Sequence, residues 1–275
     1  MGSMQQDAVL KNKGKVLVMG VGWVGGALAR WFDDAGLTPM RYDPPKGIGE
    51  ENDLARAEII FICLPTPYDA ENGGFVLSYV ERGVAALPGK KIVVIKSTVV
   101  PGTTKRLQEQ YPQHVFLFNP EFLRQATADA DFRAPDRQII GAATKDHLDA
   151  ERVLSILPPA PFVSVIGALE AETVKYFGNC FLALKVVFAN QMFDLCGAIG
   201  ADYNAVKECA AADPRIGSSH LQVLQDGYRG YSGSCFPKDM RSFIQLGDAV
   251  GAEQALLKVA EQLNAVVVAK NVVKI

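Results

Sequence analysis

The residues best able to do chemistry lie in one short motif, Gly233-Ser234-Cys235-Phe236-Pro237-Lys238-Asp239. Pro237 is well placed as the first residue of a helix, so Cys235 would lie just outside that helix's N-terminus. There the helix dipole and Lys238 would favour the thiolate and lower the pKa of the thiol from its free value of about 8.5. For an isolated cysteine, a buried structural role with Asp239 as an ordinary first-turn acid would be the better interpretation.

A second chemical pair precedes this motif. Lys175 and Asn179 are four residues apart and therefore share a helix face, from which both can donate to an oxygen that becomes negative. The alternative is a solvated stripe, because Glu172 lies three residues before Lys175 and could pair with it. The two residues alone leave both interpretations open.

A glycine-rich turn predicts where a cofactor binds. The run Gly20-Val21-Gly22-Trp23-Val24-Gly25 directly follows the apolar strand VLVM. Its glycines suit a tight turn, a close approach to a pyrophosphate and close packing of helix on strand, with the phosphates at a helix N-terminus. Asp43 ends the next strand, MRYD, where a carboxylate would bond the ribose hydroxyls. The pattern favours NAD over NADP, although a glycine-rich turn of another fold is the alternative.

The elements that must position these groups follow from periodicity. Apolar runs at residues 16–19, 58–64, 91–98, 115–119, 138–142 and 162–166 alternate with amphipathic segments, which predicts an α/β fold with a doubly wound, Rossmann-type parallel sheet. After Gly167 the segments at 168–199, 203–212, 238–250 and 252–268 read as helices. We therefore expect a tail at 1–14 that includes a cloning remnant, a cofactor domain at 15–166 and an all-helical domain at 167–275.

Composition narrows the function class. The 275 residues are 49% hydrophobic and carry a net charge of −2, which gives no electrostatic reason to expect nucleic acid. The five cysteines are far apart without a CxxC pair, so we expect no metal site or disulfide framework and a reducing, cytoplasmic setting. No uninterrupted apolar run approaches the ~20 residues of a membrane span, and no membrane partner is expected.

Six motifs in chain order resemble those of the UDP-glucose/GDP-mannose dehydrogenase family. They are Leu64-Pro65-Thr66-Pro67, Ser97-Thr98-Val99-Val100-Pro101-Gly102-Thr103, Asn119-Pro120-Glu121-Phe122-Leu123-Arg124, Glu172-Thr173-Val174-Lys175-Tyr176-Phe177-Gly178-Asn179, Asp213-Pro214-Arg215-Ile216-Gly217 with His220, and the cysteine motif. The resemblance covers about residues 15 to 270. Six ordered motifs are far more specific than any single pattern.

The resemblance implies an NAD-dependent, four-electron oxidation of a sugar alcohol to a carboxylate. The cysteine motif looks more like the UDP-glucose branch, which implies conversion of the C6 alcohol of UDP-glucose to UDP-glucuronate for polysaccharide biosynthesis. The helical domain would form a homodimer. Cys235 would capture the aldehyde as a thiohemiacetal and then carry the thioester. Asp239 would support proton transfer, and Glu121, with a pKa raised in a dry cleft, would activate water.

The site residues implied by the same resemblance fall into three groups. The catalytic residues are Cys235, Lys175, Asn179, Asp239, Glu121 and Thr98. The cofactor-binding residues are Gly20, Val21, Gly22, Trp23, Val24, Gly25, Asp43, Lys46, Pro65, Thr66, Pro67, Ser97, Thr98, Gln125 and Lys238. The substrate-binding residues are Glu121, Phe122, Leu123, Arg124, Lys175, Asn179, Arg215, His220, Tyr231, Gly233 and Cys235.

The sequence departs from the family pattern in three places. Family members continue into a second α/β domain that grips the substrate nucleotide, and we expect that domain to be missing here. Only 14 residues separate Asp43 from the next strand, so one helix should be reduced or absent. Gln125-Ala126 replaces the usual Glu-Gly, which puts one cofactor contact in doubt, and Ser232 replaces a glycine, which stiffens the loop before Cys235.

Two other functions remain open from the sequence. A β-hydroxyacid dehydrogenase pairs the same two domain types, uses a helix lysine and asparagine, and performs one oxidation without a cysteine nucleophile. An NAD-binding homologue without activity would serve as a regulatory or assembly partner. One NADH formed per substrate would favour the β-hydroxyacid dehydrogenase. A calorimetric titration that detects binding of NAD but not of a nucleotide sugar would favour the homologue without activity.

Overall fold

Short β-branched runs form the strands of a central sheet. The computed structural model describes residues 11–71, 74–144, 148–224 and 227–270, and the predicted remnant at Met1–Met4 lies outside them. The seven strands of the main sheet are β1 (Val16–Met19), β2 (Met40–Tyr42), β3 (Ile59–Ile62), β6 (Ile92–Ile95), β7 (Val115–Phe118), β8 (Arg137–Ala142) and β9 (Phe162–Gly167). Between β3 and β6, β4 (Tyr68–Asp69) and β5 (Gly74–Phe75) form a separate two-stranded sheet.

The main sheet has the order β2-β1-β3-β6-β7-β8-β9. All neighbouring strands pair in parallel except β7 and β8, which are antiparallel with Phe118 opposite Gly141. The predicted parallel, Rossmann-type sheet is confirmed, with β7 and β8 as its one antiparallel pair among the described strands. The chain leaving β7 returns into the sheet from the same edge, so β8 begins beside the carboxyl end of β7.

Helices cover both faces of this sheet. Val16 and Val18 of β1 join one buried apolar cluster, while Leu17 and Met19 join another on the opposite face. This alternation confirms the doubly wound arrangement. The helices of this part are α1 (Trp23–Asp34), α2 (Glu51–Arg56), α3 (Ser78–Ala85), α4 (Thr103–Gln110), α5 (Ala128–Arg133) and α6 (Leu148–Leu154), with single 3₁₀ turns at Pro44–Lys46 and Gln125–Thr127. The helix predicted to be reduced is the six-residue α2.

The remaining described elements are helical, as predicted. They are α7 (Ala168–Ile199), α8 (Tyr203–Ala211), α9 (Phe236–Ala249) and α10 (Ala255–Ala269). The chain divides into two compact units, residues 1–69 with 75–175 and residues 70–74 with 176–275. Within the second unit, Tyr176 of α7 stacks on Phe243 of α9 with ring centroids 5.3 Å apart.

The helix α7 is long and largely apolar. Its 32 residues include an 18-residue window with a mean hydropathy of 1.4, so by length and composition alone it could cross a membrane. Glu172 and Lys175 in its first turns are buried and hydrogen-bonded within the sheet unit. Only 28% of that window is buried within the described chain.

Candidate active site

The glycine-rich turn lies between β1 and α1, in the first unit. Gly20 has a φ of +88°, and a Cβ atom there would lie 2.6 Å from the carbonyl oxygen of Cys63. A Cβ atom at Gly25 would lie 1.9 Å from the carbonyl oxygen of Gly20, whereas one at Gly22 would meet no atom within 4 Å. The first and third glycines therefore serve packing, and the second leaves open space at the start of α1. A pyrophosphate fits there, since a helix N-terminus offers unpaired N–H groups.

Asp43 organises this turn. Its Oδ2 atom accepts a hydrogen bond of 2.8 Å from the backbone N–H of Val21 and lies 3.2 Å from the Nζ atom of Lys46. Lys46 in turn donates to the carbonyl oxygen of Val21 at 2.6 Å. The sequence predicts that Asp43 binds the ribose, and the structure shows that Asp43 holds the backbone of the glycine-rich turn.

A cleft of about 710 Å³ opens over the turn. Trp23, whose side chain is exposed, and the Gly22 backbone form one part of its wall, and Gln125 with the following turn forms another. Arg30 and Asp129 also line the cleft, joined by an ion pair of 2.6 Å. Their role in the wall is not evident from the sequence, since they lie 99 positions apart. A cleft of this volume is typical of a small-molecule site.

Two further predicted cofactor segments follow β3 and β6. The Ser97 hydroxyl donates to the carbonyl oxygen of Leu64 at 2.7 Å, and the Thr66 hydroxyl donates to that of Thr98 at 2.8 Å. These bonds join the two strand ends, at the sheet edge where ligands of open α/β sheets bind. The flanking Pro65 and Pro67 are exposed.

Glu121 and Lys175 form a buried ion pair in the first unit. The Nζ atom of Lys175 lies 2.7 Å from Oε1 of Glu121 and donates to the Glu121 carbonyl oxygen, also at 2.7 Å. Oε2 accepts from the backbone N–H of Leu123 at 2.9 Å. Burial opposes ionisation of Glu121, but the Lys175 charge and these hydrogen bonds outweigh it and hold the pKa of the carboxyl below its usual range. The expected raised pKa is therefore wrong, because the carboxylate has a buried cationic partner.

The Phe122 ring contacts two cations. The guanidinium carbon of Arg137 lies 3.7 Å from the ring centroid, and the Nζ atom of Lys175 lies 5.7 Å from it. Arg137 is the first residue of β8, and the reversal of that strand places it at the carboxyl edge of β7. Sequence reasoning missed Arg137, because its position at this edge depends on the direction of β8.

Glu172 does not pair with Lys175, so that alternative is wrong. Its fully buried carboxylate accepts from the backbone N–H groups of Gly102 and Thr104, at 2.6 and 2.8 Å, and from the Thr104 hydroxyl at 2.6 Å. These groups lie at the N-terminus of α4, which favours a negative charge. Burial nonetheless raises the pKa of Glu172. The residue anchors α7 one turn before Lys175.

Lys96 is a second residue that the sequence did not single out. Its side chain is buried, and its Nζ atom donates to Oδ1 of Asn119 at 2.7 Å. Burial lowers the pKa of this lysine to about 8. The Nδ2 atom of Asn119 donates to the carbonyl oxygen of Ile139 at 2.8 Å. A lysine within the apolar run KIVVIKST is the signal that could have identified it.

The second unit holds the cysteine. The helix α9 begins at Phe236, one residue before the predicted first-turn Pro237 and two before the predicted segment 238–250, and Cys235 is its N-cap. Cys235 is exposed, with its Sγ atom 3.8 Å from the Ser234 hydroxyl. A buried structural role for Cys235 is therefore wrong.

One turn into α9, Asp239 is almost fully buried at 1% exposure. Its Oδ2 atom accepts from the Nδ2 atom of Asn179 at 2.5 Å, and its Oδ1 atom accepts from Lys238. The backbone N–H of Asp239 donates to the carbonyl oxygen of Cys235 at 2.9 Å. The structure thus places three predicted residues, Asn179, Lys238 and Asp239, in one buried network beside the N-terminus of α9.

The remaining predicted substrate residues differ in their surroundings. His220 and Tyr231 pack near the Phe236 ring, with centroids 5.7 and 6.1 Å from it. The Nδ1 atom of His220 and the Tyr231 hydroxyl are buried without hydrogen-bond partners among the described residues. Gly233 is exposed with a φ of +80°. Arg124 and Arg215 are exposed; Arg124 pairs with Asp131 of α5, and Arg215 pairs with Asp213 in its own loop.

Comparisons with known proteins give matches to one family. Residues 49–157 match the NAD binding domain of the UDP-glucose/GDP-mannose dehydrogenase family, and residues 169–266 match its central domain. A UDP-glucose 6-dehydrogenase of Pseudomonas aeruginosa is 38% identical over 232 residues, which are 77% of this chain and 49% of that protein. UDP-glucose 6-dehydrogenase AglM of Haloferax volcanii is 35% identical over 78% of this chain and 53% of its own length. The chain thus spans about half the length of these curated relatives.

Solved structures show the same likeness. A UDP-glucose dehydrogenase from Pyrobaculum islandicum superposes with a TM-score of 0.80 at 32% identity, covering 91% of this chain and 67% of that one. A 3-hydroxyisobutyrate dehydrogenase from Mycobacterium tuberculosis covers 91% of this chain and 92% of its own, with a TM-score of 0.74 at 18% identity. That second likeness is one of fold alone, so architecture by itself does not separate the two enzyme classes.

Proposed function

The chain belongs to the UDP-glucose/GDP-mannose dehydrogenase family, and on that premise we propose that it oxidises the C6 alcohol of UDP-glucose to UDP-glucuronate in two steps. The cofactor is NAD, in keeping with the matched NAD binding domain. The observation that carries the proposal is the exposed Cys235 at the N-terminus of α9, beside the buried network of Asn179, Lys238 and Asp239. A single-step hydroxyacid dehydrogenase has no use for that thiol.

The cysteine divides a difficult oxidation into easier steps. NAD, when bound, supplies the hydride acceptor for each of the two oxidations. After the first, the Cys235 sulfur adds to the aldehyde carbon and the carbonyl oxygen takes a proton, which gives a thiohemiacetal. After the second, the same carbon is a thioester, and water releases the carboxylate and the free thiol. The overall change is one alcohol, one water and two NAD⁺ to one carboxylate, two NADH and three protons.

Lys175 and Asn179 retain hydrogen-bonding capacity for a developing negative oxygen. The Lys175 ammonium has three donors and uses two on Glu121. The Asn179 amide has two donors and uses one on Asp239. One N–H of each therefore remains beyond the hydrogen bonds among the described residues. The two side chains lie on consecutive turns of α7, as donors to one oxygen would.

Glu121 is suited to act as the base for thioester hydrolysis. Its lowered pKa keeps it ionised near neutral pH, so it can accept the proton of the attacking water. Asp239, held by Asn179 and Lys238, supports the position of the helix turn that carries Cys235. These assignments differ from the sequence-based expectation in the protonation state of Glu121 and in the role of Asp239, which was expected to support proton transfer.

The outer surface of α7 supports assembly as a homodimer. Phe177, Phe181, Phe188, Leu195 and Ile199 are all exposed by more than half. Their spacings of four, seven, seven and four place them along one face of the helix. An exposed apolar stripe of this length is typical of a subunit interface.

We also propose a cytoplasmic location, since a thiol nucleophile needs a reducing compartment. We propose that the product is used in polysaccharide biosynthesis.

Counting NADH tests the activity. Purified protein with UDP-glucose should reduce two NAD per sugar, and Cys235→Ser should abolish UDP-glucuronate formation. Glu121→Gln should slow hydrolysis and let a sugar adduct accumulate on the peptide containing Cys235, which mass spectrometry detects. One NADH per substrate, unaffected by Cys235→Ser, would favour the β-hydroxyacid dehydrogenase. Binding of NAD without turnover of any nucleotide sugar would favour the non-catalytic homologue.

A further inference from the structure

The loop that leads to Cys235 is held at Tyr231 by one side chain of the last helix. Oδ1 of Asn264, on α10, accepts from the backbone N–H of Tyr231 at 2.8 Å, and its Nδ2 atom donates to the Tyr231 carbonyl oxygen at 2.9 Å. Asn264 is only 8% exposed. A primary amide is suited to this contact because it presents an acceptor and a donor side by side.

The neighbouring residue shows how closely the loop approaches α10. Gly230 has a φ of +81°, and a Cβ atom there would lie 2.7 Å from Oδ1 of Asn264 and 3.0 Å from Cγ2 of Val268. Any side chain at Gly230 would therefore push the loop away from Asn264. The requirement for glycine at this position follows from the same contact.

A second attachment joins the loop to α7. Arg229 donates to Oδ1 and the carbonyl oxygen of Asn190, at 3.0 and 3.2 Å, and pairs with Asp194 at 2.7 Å. Its guanidinium also lies 5.0 Å from the Phe193 ring centroid. Two nearby loop residues are thus held by two different helices of the second unit.

Tyr231 connects these contacts to the residues around Cys235. Its buried ring packs edge-on against Phe236, the first residue of α9, with centroids 6.1 Å apart. Between Tyr231 and Phe236 the three residues before Cys235 are exposed. The contacts at Tyr231 are therefore the last buried attachment of the loop before the thiol.

We propose that Asn264 is a positioning residue, which sets the place of Cys235 by holding both backbone groups of Tyr231. Its catalytic consequence rests on the proposed function of Cys235. Its structural consequence does not, so the two can be tested separately.

Asn264→Asp tests the contact directly, because aspartate has the same shape but donates only when protonated. Its ionised form would face the Tyr231 carbonyl oxygen and repel it. The charged or titratable groups around Tyr231 are the pair Glu261 and Arg241 and the thiol of Cys180. Wild type measured at each pH controls for them.

Hydrogen exchange of the Tyr231 amide is the first readout. Corrected for intrinsic rates, protection in Asn264→Asp should match wild type most closely at pH 5 and fall about tenfold at pH 8, as expected when the hydrogen bond to the Tyr231 carbonyl oxygen is lost while the bond from its N–H is kept. Asn264→Ala should lose protection at both pH values. Lys258→Ala removes an exposed ion pair on the same helix and should change nothing. Wild-type protection in Asn264→Asp at pH 8 would overturn the proposal.

Catalysis is the second readout. At pH 8 both Asn264 variants should lower kcat by about tenfold or more while KM for the sugar changes little, since a misplaced nucleophile slows chemistry more than binding. Unchanged kcat in a variant whose Tyr231 amide has lost protection would also overturn the proposal. If wild type turns over no nucleotide sugar, the proposed function fails. The alkylation rate of Cys235 then replaces kcat, and equal rates in wild type and variants would refute a positioning role.

Discussion

Replacing Lys175 by methionine separates the charge of this residue from its bulk. Methionine keeps most of the apolar stem but leaves the Glu121 carboxylate without the ammonium 2.7 Å away. Because both side chains are buried, little water is available to replace the lost partner. We expect the variant to be destabilised by the cost of a lone buried carboxyl.

The free-energy cost of a lone buried Glu121 carboxylate cannot exceed the cost of protonating it, because Glu121 can bind a proton and become neutral. For an ordinary glutamate pKa of about 4.3, protonation at pH 7 costs about 1.36 kcal/mol for each of roughly 2.7 pH units, or about 3.7 kcal/mol. This value falls within the range of about 3–5 kcal/mol for breaking a buried pair. Lys175→Met should therefore lose close to 4 kcal/mol at pH 7.

The sign of the pH dependence distinguishes this origin from lost packing. In wild type the folded pKa of Glu121 is lowered, so its stabilisation is present above the unfolded pKa and disappears as pH falls through the folded value. In Lys175→Met burial prevails and the folded pKa lies above the unfolded one. The folded variant then binds the extra proton, and its deficit should shrink by about 1.4 kcal/mol for each unit that pH falls from 7 toward 5.

Urea unfolding followed by tryptophan fluorescence measures this deficit in the first unit, because the two tryptophans of the chain, Trp23 and Trp31, both lie in α1. Lys175→Met combined with Glu121→Gln is the matched control, since it removes the buried charge and should recover most of the stability without the pH slope. A deficit that is equally large in the double variant, or that does not change between pH 7 and pH 5, would refute the reasoning.

Three further predictions concern other parts of the chain. Gly22→Ala should fold normally, because its Cβ atom meets no other atom, but should weaken NAD binding in calorimetry by about tenfold or more. Gly25→Ala should instead lower the free energy of unfolding by about 1–3 kcal/mol, because its Cβ atom would collide with the backbone of Gly20. Glu172→Gln should destabilise by about 1–3 kcal/mol in urea unfolding, since an amide cannot accept from every donor that now faces the carboxylate. Burial raises the folded-state pKa of Glu172 above its unfolded value. The free energy of unfolding of wild type should therefore decline as pH rises from the unfolded pKa through the folded pKa. Glu172→Gln should lack this pH dependence. Phe188→Glu on the apolar face of α7 should yield monomers in size-exclusion chromatography, while Val206→Glu on α8 should not.

Much of the fold and part of the site could be predicted because the signals are local. The strands β1, β3, β6 and β7 lie within the apolar runs, and α7 has the predicted bounds of Ala168 and Ile199. Both patterns reflect burial that repeats along the chain with the period of the element. The direction of β8 was not predictable in this way, since an apolar run reads the same whichever way its strand enters the sheet.

By itself, the sequence determined the element types and the glycine-rich turn, because these depend on neighbours within a few positions. Only the tertiary structure decided which groups pair. It assigned Lys175 to Glu121 rather than Glu172, and with that choice it reversed the expected pKa shift of Glu121. The physical reason is that the charge state of a buried carboxyl depends on what lies within a few ångströms, and those partners come from distant parts of the chain.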